Sequence, residues 1–100
     1  MSDETDFHRL ADATLTALQD QLEPRYESGE LEELELQGGV LTIRTAAGRS
    51  FVVSKHAPSR QIWLASPLSG GLHFSLHASG SWMLADGREL VSHLMRELAL

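Results

Sequence analysis

No cysteine occurs in the chain. That excludes a disulfide framework, thiolate zinc sites, cysteine-ligated iron–sulfur clusters and cysteine nucleophiles. No apolar run approaches the roughly 20 residues of a membrane span. Nor is there an HExxH helix, a GxSxG elbow, a P-loop or a GxGxxG turn. Internal repeats, linkers and low-complexity segments are also missing. The first residues, Met1-Ser2-Asp3-Glu4-Thr5-Asp6, are acidic. They resemble neither a secretory signal nor a transit peptide, so a bacterial-type cytoplasm is expected.

What is present is ordinary globular material: 100 residues, 42% hydrophobic and 22% charged. A chain of this length forms one domain and one modest core, so residues 1–100 are read as a single unit. Bases are scarce at one end. Residues 1–35 hold eleven acids against Arg9 and Arg25, whereas residues 36–100 hold three acids against six bases. The acidic third repels phosphate backbones, which argues against nucleic acid as a partner. It attracts metal cations or a basic protein surface, or it is simply a solvated face that keeps the protein soluble.

Phe7, Leu10, Ala11, Thr14, Leu18 and Leu22 recur at helical spacing, with Leu15 at the edge of the stripe. Pro24 disfavours helical backbone at Glu23, so this helix is predicted over residues 3–23. Leu34 and Leu36 then alternate with Glu33, Glu35 and Gln37, and Gly38-Gly39 signals a hairpin. Further strands are predicted at Val40–Thr45, Phe51–Lys55, Arg60–Ala65, around Leu72–Leu76 and at Trp82–Leu84. Leu90, Val91, Leu94, Met95 and Leu98 mark a second helix running to the end of the sequence. Hairpin-length connections make neighbouring strands antiparallel. Two amphipathic helices and a one-sided sheet bury their apolar faces against each other. The predicted fold is a two-layer α+β sandwich, two helices on one face of a roughly six-stranded antiparallel sheet.

Two surfaces are candidates for function. If Ile62 and Leu64 point inward, Gln61 and Trp63 point outward, and His73, Ser75 and His77 share their face. Trp63 is then an interface anchor; the alternatives are that Trp63 is itself the buried residue or is shielded by a loop. The other candidate is acidic. Asp12, Asp20 and Glu23 lie opposite the apolar stripe of the first helix, with Glu27, Glu30, Glu32 and Glu33 just beyond its predicted end. Carboxylates suit hard cations, but exposed ones without a cage bind weakly. His8 could add an imidazole or remain a surface histidine. His73 and His77, about 13 Å apart on a strand, cannot share one ion. Nothing resembles a catalytic triad or a buried carboxylate pair, so any enzymatic chemistry would be a metal ion's own.

The stretch Gln61-Ile62-Trp63-Leu64-Ala65-Ser66-Pro67-Leu68-Ser69-Gly70 resembles the Q-I/V-W-L-A/S strand and following SP-x-SG segment of the frataxin family. Phe7-His8-Arg9-Leu10-Ala11-Asp12 is similar to the family's helix opening, and Gly38-Gly39-Val40-Leu41-Thr42-Ile43 to its first hairpin. Trp82, Asp86-Gly87 and Leu90–Leu98 are similar to its last strand and second helix. These resemblances run in order along essentially the whole chain. They imply an α-β sandwich that binds iron, as Fe²⁺ or Fe³⁺, weakly and reversibly on an acidic ridge. By position the ridge takes in Asp20 and Glu23, with Asp3, Glu4 and His8 near its start and Glu27, Glu30, Glu32 and Glu33 in its acidic segment. Gln19 and Pro24 stand where relatives often carry acids, which implies fewer sites.

The resemblance further implies a partner face around Gln61, Trp63 and His73, meeting a cysteine desulfurase and an iron–sulfur scaffold protein. An exposed Trp63 and a functional acidic run follow from it. A regulatory adaptor with no catalytic site is therefore expected, with ferroxidase activity or metal-independent docking as alternatives. The expected state is a monomer, with iron-dependent oligomers as the alternative. Many relatives carry a tail past the second helix; a sequence that stops at Leu100 implies an open groove and modest stability.

Overall fold

A computed structural model describes the backbone of residues 3–100 and the side chains of residues 5–100. The order of elements is α1 (Asp3–Glu27), β1 (Leu31–Gln37), β2 (Val40–Thr45), β3 (Ser50–His56), β4 (Gln61–Ser66), β5 (Gly70–Leu76), β6 (Trp82–Met83) and α2 (Leu90–Leu98). A short 3₁₀ turn over Ala57–Ser59 separates β3 from β4. The strands form one six-stranded sheet in sequence order, and every neighbouring pair is antiparallel. Two helices and a six-stranded antiparallel sheet are the predicted architecture.

Register explains the core. Leu36, Leu41, Val53, Leu64 and Leu72 stand opposite one another across five strands. Beside that row run Leu34, Ile43 and Phe51 on one flank, and Ile62 with Phe74 on the other. The helices cover this face. Phe7, Ala11, Leu15, Leu18 and Leu22 of α1 and Leu90 and Leu94 of α2 are buried against it. Leu15 is fully buried at the centre of the α1 stripe, not at its edge as the spacing suggested. Leu31 and Leu34 both serve the core although they are three residues apart. A bulge between Leu31 and Glu33 absorbs the odd residue.

The first helix does not stop at Pro24. It runs on to Glu27, and Pro24 sits inside it. Proline removes one intrahelical N–H bond and crowds the preceding turn. Burial of Leu22, just before it, and the packing of α1 on the sheet override that local penalty. The stop lies further on. The Ser28 N–H donates to the Pro24 carbonyl at 3.0 Å and the Ser28 hydroxyl to the Arg25 carbonyl at 3.0 Å. Gly29 follows with a φ of +89°, the left-handed terminator.

Three polar fastenings hold the two layers in place. At the far edge, the Trp82 indole N–H donates to Thr14 Oγ1 at 2.8 Å, and Phe7 meets the same indole edge-on. In the middle, Lys55 stands on the inward face opposite Ile62 and reaches Asp12 of α1 at 2.9 Å. Its stem lies across Gly39, where any Cβ would come within 2.7 Å of it. Gly38 and Gly39 both hold positive φ, 60° and 79°, as the predicted two-residue hairpin requires. The third fastening is buried beneath α2. Glu97 Oε1 accepts from Ser66 Oγ at 2.8 Å and Ser69 Oγ at 3.2 Å, and lies 3.2 Å from His93 Nε2. Ser66 Oγ also accepts the N–H groups of Leu68 and Ser69, shaping the β4–β5 turn. An open cleft of about 590 Å³ lies between the ends of α1 and α2 and the β2–β3 turn, lined by Arg25, Leu31, Arg49 and Leu98 among others.

Glu97 is 7% exposed and is the carboxylate on which Ser66, Ser69 and His93 converge. Its removal leaves the buried Ser66 hydroxyl without its acceptor and reduces Ser69 and His93 to the 3.3 Å contact between them. Glu97→Ala is therefore expected to lower stability by about 2–3 kcal/mol, with Glu97→Gln recovering part of the loss. Urea denaturation measures both; a loss below about 0.5 kcal/mol for the alanine variant would show that the network carries no net stabilisation.

Candidate functional site

Two surfaces lie on opposite sides of the sandwich. The first is the outer side of α1. Because the helix continues past Pro24, Glu27 belongs to it and does not sit in the connection beyond. At 100° per residue, Asp20, Glu23 and Glu27 fall in one line opposite the buried stripe, and all three are exposed. Carboxylates three and four residues apart on a helix repel one another, and a cation relieves that repulsion. None of the three makes an ion pair among the described residues.

The other acidic candidates are placed differently. Glu30 lies 3.9 Å from Arg25, and Glu32 lies 3.4 Å from Arg44. Glu33 stands opposite the same Arg44 across the β1–β2 ladder. These carboxylates therefore have arginine neighbours that compete with any cation. His8 is half-buried, its ring set edge-on against Phe7 at 5.4 Å. The side chains of Asp3 and Glu4 lie outside the described residues. Among the described residues, no three His, Asp or Glu side chains converge on a point that could hold a metal ion. The structure offers an open line of carboxylates, not a cage.

The second surface is the outer face of the sheet. Val40, Ser54, Trp63 and His73 form one row across β2–β5. His56, Gln61, Ser75 and Met83 form the next across β3–β6. Trp63 faces outward, as strand parity demands, but it is half-buried. Its cover comes from two imidazoles. His56 of β3 stacks on it at 3.6 Å with an interplanar angle of 13°, and His73 of β5 at 4.1 Å and 10°. One comes from each side of β4, so both faces of the indole are occupied. The indole separates the imidazoles, and they cannot share an ion.

The indole edge is fixed as well. Trp63 Nε1–H donates to Gln61 Oε1 at 3.0 Å, and Gln61 Nε2 donates to Ser75 Oγ at 3.1 Å. Gln61, Trp63 and His73 are thus brought together as the sequence suggested. His56 is the member that sequence reading missed. Ending the third strand at Lys55 left it outside the alternation, although Val52, Ser54 and His56 share a parity that places it beside Trp63. Beside the stack lies a shelf of Thr42, Val52, Ala65 and Gly71, where an added Cβ at Gly71 would meet nothing within 4 Å.

A family model described as a Frataxin-like domain matches residues 1–100. The iron–sulfur cluster assembly protein CyaY of Pseudomonas fluorescens is 38% identical over 95% of this chain and 84% of its own length. The mitochondrial frataxin homologue of Saccharomyces cerevisiae is 39% identical over 92% of this chain and 54% of its own. Among solved structures, trimeric yeast frataxin complexed with ferrous iron superimposes with a TM-score of 0.79, at 39% identity, over 90% of this chain and 82% of that one. Frataxin from Psychromonas ingrahamii, at 23% identity and a TM-score of 0.74, has the same fold. The chain, matched end to end by the family model and similar to both bacterial and mitochondrial relatives, belongs to the frataxin family.

Proposed function

We propose that this protein is an iron-binding adaptor of iron–sulfur cluster assembly. It takes up Fe²⁺ or Fe³⁺ weakly and reversibly as cargo on the α1 carboxylates, and it docks on a cysteine desulfurase and its scaffold protein. The observation that carries the reading is the division of labour between the two sides of the sandwich. An open line of carboxylates, unpaired among the described residues, occupies one side, and an acid-poor face built around Trp63 occupies the other. The family's association with iron–sulfur cluster assembly and the ferrous complex of the yeast relative support the iron half.

Weak binding follows from the ligand geometry. Asp20, Glu23 and Glu27 offer hard oxygens on an exposed helix, which leaves water to complete the coordination of any ion. Glu30, Glu32 and Glu33 contribute only to the extent that iron outcompetes Arg25 and Arg44. Asp3, Glu4 and His8 extend the ridge toward the start of α1. Efficient iron oxidation needs two ions bridged by shared ligands. Carboxylates spread along a helix do not provide that, so we propose a non-catalytic role. Residues 1–100 act as one domain, a monomer in a bacterial cytoplasm.

Docking has two parts. The acidic side of α1 and β1 steers a basic surface of the desulfurase, with the salt sensitivity of exposed charges. The Trp63 face supplies the buried contact. Tryptophan is a common hot spot, and here Gln61 fixes it in advance, which limits the ordering cost of binding.

An anaerobic Fe²⁺ titration followed by backbone amide NMR tests the iron half. Shifts or broadening are expected at Asp20–Glu27 first and at residues 3–8 and 30–33 at higher iron. No localised change up to millimolar iron would sink that half, leaving a docking domain alone. Asp20→Asn/Glu23→Gln/Glu27→Gln should abolish the first set of shifts. Trp63→Ala should weaken binding to the desulfurase–scaffold complex by about 2 kcal/mol or more while leaving the iron shifts in place. Normal binding of that variant would remove the role given to the sheet face.

A further inference from the structure

We propose that the His56–Trp63–His73 stack makes the outer sheet face a proton-responsive docking surface for an acidic protein partner. The inference deepens the docking half of the proposed function and rests on it. Histidine is the side chain whose charge changes between pH 5 and 8. Two of them lie flat on the one aromatic anchor of this face, 3.6 Å and 4.1 Å from it. An indole carries negative charge density on both its faces, and a parallel imidazolium against it is favoured.

The surroundings set the sign. The central rows, Val40–Ser54–Trp63–His73 and Thr42–Val52–Ala65–Gly71, hold no acid and no lysine or arginine. The row of His56, Gln61, Ser75 and Met83 is equally free of them. Among the described residues, acids border these rows at the β1 edge, as Glu33 and Glu35, and at the far end, where Glu89 bridges Met83 and its carboxylate is taken up by the N–H groups of Val91 and Ser92. The groups that meet His56 are Trp63, Gln61 across the ladder, and Ser59, whose Oγ lies 2.7 Å from His56 Nδ1. Trp63 stands against His73, with Ser75 beyond it on β5. The adjacent Lys55 turns to the opposite face and is held by Asp12, and Arg60 follows the 3₁₀ turn. Among the described residues neither imidazole pairs with a carboxylate. Protonation therefore converts a nearly neutral pair of rows into cationic ones, with no carboxylate paired to either imidazole among the described residues.

That sign selects the partner. A basic surface is repelled here in acid and is already served by the α1 side. A surface bearing carboxylates is attracted, and more strongly as the imidazoles charge. Because both indole faces are covered, such a partner meets the stack at its rim, where imidazole N–H groups can donate to carboxylates. Binding should tighten as pH falls through the imidazole range and weaken as it rises.

The test uses the full chain and two readouts. Two-dimensional NMR follows the Trp63 indole N–H from pH 5 to 8 in the wild type and in His56→Gln/His73→Gln. Calorimetry measures affinity for the desulfurase–scaffold complex at pH 6 and pH 8. The indole resonance should titrate in the wild type and lie flat in the double variant. Wild-type affinity should be about fivefold higher at pH 6 than at pH 8, with that ratio lost in the variant. A flat wild-type indole resonance overturns the proposal, because the stack then does not sense protons. A titrating indole with unchanged or inverted affinity also overturns it, because the partner is then not acidic. The buried Trp82 resonance reports whether the variant is folded; if it is not, His56→Gln and His73→Gln are read singly against the same criteria. Failure of the wild type to bind at any pH, with the indole still titrating, rejects the adaptor reading itself and this inference with it.

Discussion

Strand side chains alternate, and a slip of one residue exchanges the two faces of a sheet. In this protein, core and site both hang on that parity. The row Leu36–Leu41–Val53–Leu64–Leu72 faces the helices, so Trp63 and His73 must face away. Shifting β4 by one residue would place Trp63 under α1 and Leu64 in water. The register is pinned at its first turn, where Gly38 and Gly39 take the positive φ of a two-residue hairpin and Lys55 closes over the second glycine. The Lys55 N–H donates to the Gly39 carbonyl at 3.0 Å while its ammonium reaches Asp12. One lysine therefore ties the hairpin, β3 and α1 together, next to a residue of the aromatic stack.

The acidic side obeys a different logic. Its carboxylates are numerous but unequal. Those on the outward line of α1 face water and one another, whereas those at the start of β1 sit beside arginines. An ion pair on an exposed surface contributes at most about 1 kcal/mol, so Arg25 and Arg44 hinder a cation without excluding it. On the proposed reading the surface is graded: uptake would begin at the carboxylates of α1 that pair with no base among the described residues, and would spread where it must displace a guanidinium. The same acids guard the sheet. β1 is an exposed edge seven residues long. Glu32, Glu33 and Glu35, together with the bulge, make it a poor template for another strand. The opposite edge, β6, is only two residues long.

The fold was largely legible because period-2 and period-3.6 patterns are strong here and the turns carry glycine. Where reading failed, a tertiary contact had overruled a local rule. Pro24 is a sound helix breaker by itself, but Leu22 is buried just before it, so the helix continued and carried Glu27 onto the ridge. Ser66 and Ser69 shape the β4–β5 turn. Their second role, as donors to Glu97 thirty-one and twenty-eight residues away, has no signature in local sequence. His56 was hidden by a strand end placed one residue early. Of the candidate site, Gln61, Trp63 and His73 could be found by parity alone. The third ring follows from the same parity once the third strand is extended to His56.

An aromatic residue on a solvated sheet is a liability, because exposed apolar surface promotes association. The protein answers it with polar groups rather than with burial. His56 and His73 cover the indole faces, and Gln61 satisfies the indole N–H while being held by Ser75. Each of these groups keeps the face wettable in the free protein, yet none removes the indole from reach. Because the core occupies only the helix side, nothing behind Trp63 demands a tryptophan there; Leu64 and Ile62 already fill the space beneath β4. The four side chains around Trp63 hold a large, half-buried aromatic in one orientation and keep its surroundings polar. That combination suits a protein-docking anchor, and it is the physical support for the docking role proposed for this face beside the steering role proposed for the acidic side of α1.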